Sequence, residues 1–167
     1  MSLVQYSSSN SVTEVKIAHK GVDDTEVAQI CAALLNNSFL TTINLETFDA
    51  QHNRIGDKGV EALSRFLRRK KVQVGILDLS CNTIWGEAMG HLSHPSIFSS
   101  LEVLILNNNH IGDLGVMRLF ASFGPNNENI RLKGLHLDHN GIEDAGTHTH
   151  HHHIHTPHTR ILSFLFI

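Results

Sequence analysis

The fourteen histidines of this 167-residue chain are its one compositional oddity and its best candidates for binding a metal. Seven of them crowd into the run THTHHHHIHTPHT at 147–159, where 11 of 13 residues are His or Thr. His-rich tracts bind divalent transition metals. The plainer reading is a low-complexity tract that binds metal only incidentally. Three more histidines fall in a spaced column: His19, His52, Cys81, Asn108 and His139. On adjacent strands about 4.8 Å apart, His52 and Cys81 would approach each other. Zinc usually needs about four ligands, and this column is interrupted and lacks acids. Polar packing is the expected role, and no metal site is assigned.

Catalytic arrangements are missing from the pattern. There is no phosphate-binding Gly-Lys-Ser/Thr loop, no nucleophile elbow and no His-Glu-x-x-His. Ser, His and Asp are plentiful, but they fall in caps, turns and exposed columns. The expectation is a protein that is not an enzyme and needs no cofactor. Arg65, Arg68, Arg69, Lys70 and Lys71 form a basic cluster. They fall near a helix end, where cations suit the negative terminus, so a solvated helix end is expected there, the alternative reading being a site for RNA or an acidic protein. The net charge of −3 gives no general pull toward nucleic acid or an anionic membrane, and neither is expected as a partner. Cys31 and Cys81 make no spaced framework, and MSLVQYSSSNS has no basic segment followed by an apolar one. Reduced thiols and a cytoplasmic location are expected.

These residues sit on a repeat. Asn53 is preceded by Leu45, Phe48 and Ala50 at −8, −5 and −3, and followed by Ile55 at +2. Asn82 has Val74, Leu77, Leu79 and Ile84 in those places. Asn109 has Leu101, Leu104, Leu106 and Ile111, and Asn140 has Leu132, Leu135, Leu137 and Ile142. A weaker copy puts Lys20 in the Asn place, with Val12, Val15, Ile17 and Val22 around it. The anchors 20, 53, 82, 109 and 140 are 33, 29, 27 and 31 residues apart. Ile55-Gly56-Asp57-Lys58-Gly59-Val60 aligns with Ile111-Gly112-Asp113-Leu114-Gly115-Val116.

Over about residues 12–146 this pattern resembles the leucine-rich repeat, and the I-G-D-x-G-V phrase resembles the ribonuclease-inhibitor-like subfamily. The resemblance implies an α/β solenoid, a horseshoe with a concave parallel β-sheet and convex helices, of about five repeats. It is uninformative about the partner. Similar repeats occur in ribonuclease inhibitors, in GTPase-activating proteins for Ran, in innate immune sensors and in flagellar scaffolds.

The physical reading agrees with that shape. Each L-x-L segment is a short strand with leucines inward and the intervening residues on the concave face. Asn carries donors and an acceptor that can satisfy bare backbone groups where the chain turns. Lys20 has no acceptor, so the first unit is expected to be a worn end repeat. The Asp that follows is expected to cap a helix N-terminus. Helical stripes follow at Val27, Ile30, Cys31 and Leu34, at Val60, Leu63, Phe66 and Leu67, and at Val116, Leu119, Phe120 and Phe123. In the third unit Met89 and Leu92 begin a stripe that His94-Pro95 ends early.

The horseshoe exposes one extended surface. Its columns carry Glu14, Lys16 and Ala18; Thr47, Asp49 and Gln51; Ile76, Asp78 and Ser80; Val103, Ile105 and Asn107; Gly134, His136 and Asp138. Lys16, Thr47, Asp49, Gln51, Ile76, Asp78, Val103, Ile105, Asn107, His136 and Asp138 are the candidate partner-binding residues. An apolar middle of Ile76, Val103 and Ile105 with a polar rim resembles a binding patch. The plainer reading is that these residues merely tolerate solvent. Trp85 stands where other units carry Gly56 or Gly112, and it is expected either to pack on neighbouring loops or to serve as an exposed anchor.

Residues 1–11 are expected to be a flexible Ser-rich N-terminus and 147–167 a disordered tail with an apolar end, ILSFLFI. After Gly146 the next position should be apolar, yet it is Thr147. Alternating His and Thr is what a CA-type dinucleotide repeat encodes, so the chain is expected to be a truncated form of a longer repeat protein. Uncapped repeat ends are expected to favour self-association and poor solubility. The leading function is a non-catalytic protein-interaction scaffold with an unknown protein partner. The alternatives are a GTPase-activating regulator of a Ran-like small GTPase and incidental metal binding by the tail.

Overall fold

The computed structural model describes residues 4–6, 12–36, 43–69, 72–121, 130–143 and 163–165. The strands are β1 (Val4–Tyr6), β2 (Val12–Lys16), β3 (Ile43–Asp49), β4 (Val72–Asp78), β5 (Val103–Ile105), β6 (Gly134–His136) and β7 (Ser163–Leu165). They form one seven-stranded sheet in chain order. From β2 to β7 every pairing is parallel, and β1 alone runs antiparallel, against β2. The helices are α1 (Asp24–Asn36), α2 (Asp57–Leu67), α3 (Met89–Leu92), α4 (Pro95–Phe98) and α5 (Gly112–Phe120). They pack in series on one side of the sheet: α1 against α2, α2 against α3 and α4, and α3 against α5. This is the expected leucine-rich repeat solenoid.

The core lies between sheet and helices. Val15, Phe48, Leu77, Leu104 and Leu135 form one inward column along the register, and all are buried. The helical stripes meet them with Val27, Cys31 and Leu34, with Val60, Leu63, Phe66 and Leu67, and with Val116 and Leu119. Ile30 and Phe120 are partly buried against the core, and Phe123 lies outside the described residues. In the third repeat a 3-10 turn at Gly86–Ala88 leads into α3, which stops at Leu92. The His94 imidazole then caps α4, accepting the Ser96 N–H at Nδ1, with Pro95 at the first helical position.

The asparagines link repeats. Asn82 Nδ2 donates to the Ala50 carbonyl of the preceding repeat at 2.9 Å and to Leu79 and Ser80 of its own, while Oδ1 accepts from Ile55 N. Asn53, Asn109 and Asn140 bridge in the same way, through Ile17, Leu79 and Leu106 carbonyls. All four are buried. Lys20 makes no such bridge, and its backbone N–H is taken up by Asn53 Oδ1.

Two short strands lie in the terminal stretches. Val4–Tyr6, within the stretch read as flexible, pairs with β2. Ser163–Leu165, within the tail read as disordered, pairs with β6. The open edges of β2 and β6 present unpaired N–H and C=O groups, and short apolar segments with good strand propensity can take them. The other residues of 1–11 and the tail run 147–162, with the break after Gly146, lie outside the described residues. Among the described residues no helix is long and apolar enough to cross a membrane.

Candidate functional site: the concave sheet face

Parallel register puts the exposed residues of successive repeats side by side. One row runs Glu14, Thr47, Ile76, Val103 and Gly134, and a second runs Lys16, Asp49, Asp78, Ile105 and His136. Asp49, Ile76, Asp78, Val103, Ile105 and His136 are all half-buried, and Lys16 is exposed. The side chain of Thr47 lies outside the description. Lys16 Nζ pairs with Glu14 Oε1 at 2.8 Å, within its own strand.

Beyond the strand ends the ladder continues, because Ala50 N donates to Asp78 O and Leu79 N donates to Ile105 O, both at 2.8 Å. The next concave positions serve this turn. Asp78 Oδ1 accepts Ser80 N at 2.9 Å and Ser80 Oγ at 2.7 Å. Asp49 Oδ1 accepts Gln51 N at 3.4 Å. Asn107 Oδ1 accepts Asp138 N at 2.9 Å, so this side chain holds two repeats together. A Cβ at Gly134 would stand 3.6 Å from Val103 and 3.8 Å from His136 Nε2. The missing side chain leaves a shallow notch between those two residues.

The expected role of the Asp that recurs four residues after the anchor is corrected. Asp57 and Asp113 do not cap their own helices, since neither α2 nor α5 has a side-chain cap bond. Asp24 Oδ1 accepts Gly56 N at 2.6 Å, Asp57 Oδ1 accepts Trp85 N at 2.9 Å, and Asp113 Oδ1 accepts Glu143 N at 2.9 Å. Each carboxylate therefore reaches forward one repeat. In the first unit the capping falls to the neighbouring Asp23, which accepts Thr25 N and Glu26 N while Glu26 returns a bond to Asp23 N. In the third repeat Gly86 stands in the Asp place. A Cβ there would fall 2.5 Å from the Ile111 carbonyl and 2.9 Å from Gly115 N, so close backbone packing replaces the carboxylate link.

The His19, His52, Cys81, Asn108 and His139 column has a backbone cause. All five have φ between 53° and 57°. This left-handed region is tolerated best, after Gly, by residues such as Asn and His. His19 and His52 stack with ring centroids 4.2 Å apart. Among the described residues no group of three or more His, Cys, Asp or Glu is placed to hold a metal. In the basic cluster Arg65 pairs with Glu61, one turn earlier on α2. Lys70 and Lys71 lie outside the described residues.

A second exposed feature was absent from the candidate set. Trp85 is 56% exposed and stacks on His110 at 4.7 Å, so it packs on a neighbouring loop and is also exposed. Leu114 and Met117 on α5 are exposed as well. Their signal in the sequence is a comparison between repeats, because the equivalent places on α2 hold Lys58 and Glu61.

A leucine-rich repeat family model matches residues 36–64 and 99–120. The chain is 31% identical over 98 residues to NACHT, LRR and PYD domains-containing protein 3 of Homo sapiens, covering 58% of this chain and 10% of that protein. The Macaca mulatta protein of that name gives the same figures. The Bos taurus one is 31% identical over 100 residues, or 59% of this chain. The chain thus spans about a tenth of the length of these curated relatives.

Proposed function

We propose, from the premise that this chain is a leucine-rich repeat protein, that it is a non-catalytic scaffold binding a protein partner on the concave face of its sheet. The observation that carries this reading is the side-by-side placement of Ile76, Val103 and Ile105 with Asp49 and Asp78 on one rigid surface. Sheet register fixes their spacing, and a rigid surface loses little entropy on binding. The core is made on the other side of the sheet, so substitutions on this face leave the inward leucines in place. The names of the matched relatives place leucine-rich repeats beside other domains, which suits a module that recruits rather than reacts. The ribonuclease-inhibitor-like phrase and a cytoplasmic location belong to the same reading.

Affinity capture by the full chain tests it. The double variant Ile105→Lys/Asp78→Lys keeps the inward leucines and should retain a cooperative thermal melt while losing captured partners. Unchanged capture by the folded variant would remove the concave face from consideration.

A further inference from the structure

Asp49 and Asp78 are direct register partners on adjacent parallel strands, which lie about 4.8 Å apart. Like charges placed side by side on a sheet are destabilising. Lys16 is the register neighbour of Asp49 on the other side, yet its ammonium is taken by Glu14. None of the ion pairs among the described residues uses Asp49 or Asp78. Each aspartate is nevertheless held in place through Oδ1, by Gln51 N in one case and by Ser80 N and Oγ in the other. The carboxylates are therefore oriented, and Oδ2 of each has no hydrogen bond among the described residues. One step along the same row the surface becomes apolar at Ile105, flanked by Ile76 and Val103.

We infer that the partner presents a Lys or Arg side chain next to an aliphatic or aromatic one, the cation lying between Asp49 and Asp78 and its neighbour lying on Ile76, Val103 and Ile105. This rests on the concave-face reading and adds the chemistry of the partner to it. An ammonium or guanidinium there donates to both open carboxylate oxygens and removes their repulsion, and charge-assisted bonds are the stronger kind. Burying the aliphatic patch beside it excludes water from the pair. A divalent cation is the other natural occupant of two carboxylates, but such ions take six or more oxygen ligands in most protein sites. No group of three or more ligating side chains is available here among the described residues.

Random linear peptides displayed on phage, selected on the full chain at low salt, test the inference. Enriched sequences should pair Lys or Arg with an aliphatic or aromatic neighbour. A synthetic copy should bind about tenfold more weakly to Asp49→Asn/Asp78→Asn, and more weakly with added salt. The amide is isosteric and keeps the Oδ1 acceptor, so the turn bonds survive. Binders that lack a cation overturn the inference, as do binders that keep their affinity for the Asn variant but lose it for Ile105→Lys. Both results leave concave-face binding standing. Binders indifferent to all three substitutions, or no enrichment at all, overturn the inference and count against that reading too. Calcium binding by the chain alone, abolished in the Asn variant, would reassign the pair to a metal and also overturn it.

Discussion

Asp24 accepts the backbone N–H of Gly56 at 2.6 Å, although 32 residues separate them and they belong to successive repeats. Space for this bond comes from Gly59. A Cβ at that position would fall 2.5 Å from Asp24 Oδ1 and 2.7 Å from Ile55 Cγ2. Gly59 is thus required by the Asp24 carboxylate of the repeat before it and by Ile55 of its own, and not by its own backbone angles; at Gly115 the place of that carboxylate is taken by the Gly86 backbone, 2.8 Å from where a Cβ would stand.

Gly59→Ala should destabilise the chain by about 2 kcal/mol, the usual range for overpacking a filled site. Gly90 is a control within the same class of change. It lies in α3, and a Cβ there meets nothing within 4 Å. Gly90→Ala should stabilise by up to about 1 kcal/mol through helix propensity. Urea unfolding of the two variants should therefore move the midpoint in opposite directions.

Asn82→Ala should cost about 3 kcal/mol. It removes bonds to the Ala50, Leu79 and Ser80 carbonyls and leaves the buried Ile55 N–H without its acceptor. Asn82→Asp should fare no better, because it keeps the acceptor but turns an oxygen toward three carbonyls. A small shift in the unfolding midpoint for both variants would contradict the bridging role.

Alkaline stability should report Cys31. Burial pushes its thiol up from 9.0 to about 12. Above about pH 9 the unfolded chain loses this proton while the folded chain keeps it, so the folded state binds more protons and stability falls as pH rises toward 12. The slope should approach about 1.4 kcal/mol per pH unit. Cys31→Ala should lower stability at neutral pH by leaving a small cavity, yet remove this part of the alkaline slope. Equal slopes for the two proteins between pH 9 and 11, as pH-dependent chemical unfolding would give them, would contradict it.

The repeat was legible because the inward column Phe48, Leu77, Leu104 and Leu135 and the Asn anchors recur in strict order, and register then follows from the period. The concave rows at Asp49, Asp78 and Ile105 were legible for the same reason. The Asp links were misread because a sequence shows Asp57 beside its own helix and not beside Trp85, which is 28 residues away. The His19, His52 and Cys81 column has the residue types of metal ligands, whereas a positive φ explains them. Val4–Tyr6 and Ser163–Leu165 lie outside the repeat phrase, and their pairing depends on a free edge supplied by β2 and β6.

Site-specific photo-crosslinking tests the central claim most directly. A photoreactive phenylalanine analogue is placed singly at Ile105 on the sheet or at Met117 on α5, and the full chain is exposed to the captured partner. The concave-face account predicts a crosslinked product from position 105 and none from position 117. A product from 117 alone would contradict it and move the binding surface to the helical side.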